Sequence, residues 1–159
     1  MTYKNTASQH YLTQEVMTSS PEKLVFMLYD KTMTSLKEAI KAIEDGNIEK
    51  RCLSNTKAMQ IISHLWQTLD MEKGGEIAAN LDRLYTYMLS RLPEVDFKND
   101  PQPALDVIKL LEPLHSSWKE LAMKNPTNDG AAAKSESAAK GGKKEAEPAL
   151  PKGGVSVSA

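Results

Sequence analysis

The three histidines, His10, His64 and His115, are the side chains best suited to acid–base or phosphoryl chemistry. None stands in an H-x-x-x-H or H-E-x-x-H pair, so the helical zinc motif is absent. Glu112 and His115 have the Glu-x-x-His spacing of a di-metal bundle, but the second Glu-x-x-His such a site needs does not occur. His64, in the run Ser63-His64-Leu65-Trp66-Gln67, has no basic or glycine-rich neighbours to hold a phosphoryl group. A histidine phosphotransfer module is therefore only a remote alternative. Ser116-Ser117 has no nucleophile elbow around it, and Gly74-Gly75 is too short for a phosphate loop. Cys52 is the single cysteine, which excludes an internal disulfide and a Cys-rich zinc site. The residues point to no enzyme, cofactor or metal.

What must be positioned instead is apolar surface. The 159 residues carry 20 Lys plus Arg against 21 Asp plus Glu, a net charge of -1. A dedicated nucleic-acid binder normally shows a basic surplus. No stretch of about 18 apolar residues is present, so membrane insertion is not expected. The N-terminus lacks a signal-peptide core, and the expected compartment is the cytoplasm.

The average composition conceals two regimes. All nine aromatics lie at or before Trp118. From Pro126 onward the chain holds five of the eight glycines, and its apolar residues are almost all alanine. Such a segment buries too little to offset about 1–2 kcal/mol of backbone entropy per residue. The reading is a lead-in over residues 1–19, a helical bundle over 20–125 and a disordered tail over 126–159.

Four long amphipathic helices are expected in the bundle. Ser20 caps the first and Pro21 suits its first position, where a missing N–H costs nothing. Asp45-Gly46-Asn47 ends it, with Gly46 in a left-handed conformation and Asn47 capping the next helix from Ile48. That second helix stops near Asp70. The third is expected from about Glu76 to Leu92, and the fourth opens at Asp100-Pro101 and should kink at Pro113. With short links and no period-two runs, the class is all-α, an antiparallel up-down four-helix bundle.

The apolar faces are broader than the three positions per heptad a one-faced bundle needs. They suit a wide core, a homodimer contact or a groove for a partner's amphipathic helix. Seven internal methionines suit adaptable packing in a core or a groove. The groove residues read from the pattern are Val25, Tyr29, Ile48, Met59, Ile62 and Tyr85, with Tyr11, Val16 and Met17 as a movable lead-in. A homo-oligomeric structural bundle is the main alternative.

Three ordered blocks resemble the flagellar export chaperone family FliS. They are Tyr11 with Val16 through Asp30, Leu69 through Leu81 with Leu84-Tyr85-Thr86-Tyr87-Met88, and Asn99-Asp100 with Trp118-Lys119-Glu120. The set spans residues 8–124. Two departures stand out: Lys31 where the family usually has glycine, and Pro113 where it usually has an ordinary helix residue. The resemblance implies a non-enzymatic chaperone that binds the C-terminal segment of flagellin, prevents premature polymerisation and delivers it to the cytosolic domain of the type III export gate. It also implies that the lead-in around Tyr11 lies over the cargo groove and is displaced. It leaves open whether an anti-sigma factor is a second partner.

Overall fold

In the computed structural model the described residues, 4–125, form six helices and no strand. The expected tail over 126–159 lies outside the described residues.

Helix α1 (Lys4–Thr18) leads into Ser19-Ser20. Ser20 then caps α2 (Pro21–Glu44) by accepting from the Lys23 N–H at 3.2 Å. Gly46 takes φ +66°, which closes α2, and Asn47 caps α3 (Ile48–Gln67) by accepting from Lys50 at 2.9 Å. These signals sit where the sequence places them, because each depends on neighbours within four residues.

The next helix departs from expectation. Asp70 accepts from the N–H groups of Glu72 and Lys73, so α4 (Met71–Arg91) begins one turn before Glu76. Gly75, at φ 53° and ψ −130°, breaks that helix after its first turn. Pro93 then starts a short helix, α5 (Pro93–Lys98), instead of simply ending α4. Asn99 closes α5 in the left-handed region at φ 51°. The last helix, α6 (Gln102–Lys124), continues through Pro113, which sits on its exposed face.

Four pairs of residues define the antiparallel arrangement. Phe26, early in α2, stacks on His115, late in α6, with ring centroids 4.9 Å apart. Tyr29 lies against Trp118 in the same sense. Asn55, early in α3, donates to the carbonyl of Leu92 beyond the end of α4. Trp66, at the end of α3, donates to Asp82 in the middle of α4. Neighbours in the bundle thus run in opposite directions, as the short links require.

The core is one cluster built around Tyr29, Leu36, Ile62, Met88, Leu92, Val107 and Leu111. Helix α2 packs along both α3 and α6, whereas α4 approaches α6 only lightly. α1 is different again: residues 11–18 are all exposed, and the ion pair of Glu15 with Lys23, at 3.0 Å, ties it to α2.

Candidate functional site

Between α4 and α6, which approach each other only lightly, partly buried apolar side chains at the edge of the core outline a candidate groove. Arg91 of α4 bonds Asp106 of α6 at 3.0 Å, so that line of each helix faces the other. Ile77 and Leu84 precede Arg91 at seven-residue spacing, nearly two turns, and share its line. On α6, Leu110, Leu114 and Leu121 continue the side that carries Asp106. Ile77, Leu84 and these three leucines are all half-buried, as is Leu81 beside them. The opposite side of α6 is occupied by α2, through His115 and Asp30 at 3.0 Å. A row of half-buried leucines between separated helices suits the apolar face of an amphipathic segment.

A second apolar edge runs along α3. Ile48, Cys52, Met59 and Trp66 follow one another at spacings of four, seven and seven. The indole of Trp66, 40% exposed, donates to Asp82 at 2.7 Å, which turns this edge toward α4. Ile48 is 65% exposed.

The nine residues chosen from the sequence therefore divide. Tyr11, Val16 and Met17 stand exposed on α1. Ile48 and Met59 share the α3 edge, and Val25 is half-buried on α2 beside the core. Tyr29, Ile62 and Tyr85 do not line a groove in this structure. They are core residues, at 1%, 0% and 2% exposure. The reason is geometric: they face the axis shared by α2, α3 and α4, where the hydroxyls of Tyr29 and Tyr85 bond each other. Burial is the main cause that pushes both phenols above their ordinary pKa, so neither serves as an acid or base near neutrality. The leucines between α4 and α6 are not among the nine, because spacing along one helix does not tell how far away its neighbour stands.

No metal site accompanies these surfaces. Among the described residues, no three His, Cys, Asp or Glu side chains cluster as ligands. Glu112 is exposed and His115 is engaged by Asp30. His64 is exposed on α3. No helix of the described residues is long and apolar enough to cross a membrane.

The family model described as flagellar protein FliS matches residues 3–125, which takes in all six helices. The chain belongs to the FliS family. FliS is a chaperone family and not an enzyme family. The flagellar secretion chaperone FliS of Salmonella typhimurium is 39% identical over 110 residues, 69% of this chain and 82% of its own. That of Vibrio cholerae is 36% identical over 107 residues, covering 67% and 79%. The Bacillus subtilis FliS is 30% identical over 110 residues, covering 69% and 81%. The FliS match ends at residue 125, and residues 126–159 lie outside it.

Proposed function

We propose that this chain is a cytoplasmic flagellar export chaperone. Its cargo is the C-terminal segment of flagellin, which it keeps from polymerising and hands to the cytosolic domain of the type III export gate. The observation that carries this reading is the half-buried leucine groove between α4 and α6 in a FliS-family chain. Exposed Tyr11, Val16 and Met17 on α1 support a lead-in that moves aside when cargo arrives.

The energetics fit a binding protein without an energy-consuming cycle. A segment that folds on binding loses about 2–5 kcal/mol in ordering. Apolar burial near 25 cal/mol per Å² exceeds that over an interface of about 1,000 Å², before the cost of association is counted. Release then comes by displacement at the export gate.

Titration of the full chain with a flagellin C-terminal peptide tests the proposal. One peptide bound per chaperone at micromolar concentration is expected. No binding at that concentration overturns it.

A further inference from the structure

We infer that residues 76–84 of α4 are a movable wall, released from the preceding turn at Gly75 and flexing near Tyr85, that sets the width of the α4–α6 groove. The purpose rests on the docking reading given above; the mechanics rest on the fold alone.

Gly75 is the point of release. Its φ of 53° with ψ of −130° is a backbone conformation that side-chain-bearing residues rarely adopt. A Cβ placed there meets nothing within 4 Å. The glycine is therefore required by the backbone conformation and not by crowding. The turn before it is closed on itself: Gly74 bonds back to the Asp70 carbonyl, and the Asp70 side chain caps Glu72 and Lys73. The helix after Gly75 is thus uncoupled from the chain before it.

The two halves of that helix are held unequally. At the far end Met88 and Leu92 are fully buried, and Asn55 donates to the Leu92 carbonyl at 2.9 Å. Arg91 there bonds both Asp106 and Glu94. In the first half only Ala78 is buried, while Ile77, Leu81 and Leu84 are half-buried. Its hydrogen-bonded tie to a neighbouring helix is the indole of Trp66 on Asp82, on the protein surface. Tyr85, bonded to Tyr29, marks the boundary between the halves. A helix bolted at one end and latched at the other opens at the latch, since local opening follows the weaker burial. Domain and element motions of this kind turn on a few residues that absorb the backbone change.

Hydrogen exchange on the full chain without cargo tests the hinge. Amides of residues 80–84, which lie inside the helix beyond the first turn, are compared with those of residues 86–91. The first set should exchange at least tenfold faster. Trp66→Phe, which keeps an aromatic ring and removes the indole donor, should speed the first set severalfold and leave the second unchanged. Rates within tenfold of each other, or a Trp66→Phe effect shared by both halves, overturn the hinge. The docking reading fails separately: Leu114→Asp lies on the opposite wall, and normal peptide binding by that variant would discard the groove while leaving the exchange pattern of α4 intact.

Discussion

Tyr29 of α2 and Tyr85 of α4 join their hydroxyls across the middle of the core. The two helices are not direct neighbours in the bundle, so this bond links opposite corners through the apolar interior. A buried hydroxyl that loses its partner keeps its desolvation cost, whereas removing both polar groups can be nearly neutral. Tyr85→Phe should therefore cost about 1–3 kcal/mol. Adding Tyr29→Phe should cost less than the sum of the single changes. Urea unfolding of the two single variants and the double variant measures this, and strict additivity would refute the coupling.

Arg51 anchors α3 to the short helix α5. Its guanidinium donates to Asp96 at 3.0 Å and also to Asn99, and Asn55 donates to the other oxygen of Asp96 at 2.8 Å. Arg51 is 7% exposed. Asp96→Ala strips a charge partner from a buried guanidinium and should cost about 1–3 kcal/mol. The loss should appear first as faster exchange in residues 93–98. Unchanged unfolding midpoint and exchange would show that the network holds nothing.

Core and groove residues should respond differently to the same chemistry. Ile62 is fully buried, so Ile62→Ala should cost about 2–5 kcal/mol, and Ile62→Asp should prevent folding. Leu84 and Leu114 are half-buried on facing walls. Leu84→Asp or Leu114→Asp should keep the helical circular dichroism signal and weaken flagellin-peptide binding at least tenfold. A folded Leu114→Asp variant with full affinity speaks against the groove.

Acid should loosen the end of the bundle where α4, α5 and α6 meet. Bonding from Lys98, with Arg91 nearby, lowers the Glu94 pKa below its ordinary 4.5. Hydrogen bonds from Gln102 and then Arg91 lower that of Asp106 below 3.8. Because the folded values lie under the unfolded ones, the stabilisation is complete above about pH 4.5 and fades as pH falls through the depressed values. Asp106→Asn should flatten this acid dependence in urea midpoints taken between pH 7 and pH 3. An identical pH profile in the variant would rule out the contribution.

The sequence by itself determined the helix ends governed by local chemistry. Ser20-Pro21 and Gly46-Asn47 act through groups two to four residues away, so no distant contact is needed to read them. It also determined the all-α class, through apolar spacing, and the family, through ordered motifs that the FliS match bears out. Tertiary structure decided the rest. Whether an apolar residue is core or groove depends on how far apart two helices stand, which is why Tyr29, Ile62 and Tyr85 are buried while Leu84 and Leu114 lie half-open. The α5 turn and the Gly75 break were equally hidden. A six-residue helix is held by Val95 in the core and by Arg51 from another helix, not by its own propensity. Gly74-Gly75 reads as a stop in any window of sequence, and only the Asp70 cap beneath it makes the turn before it helical.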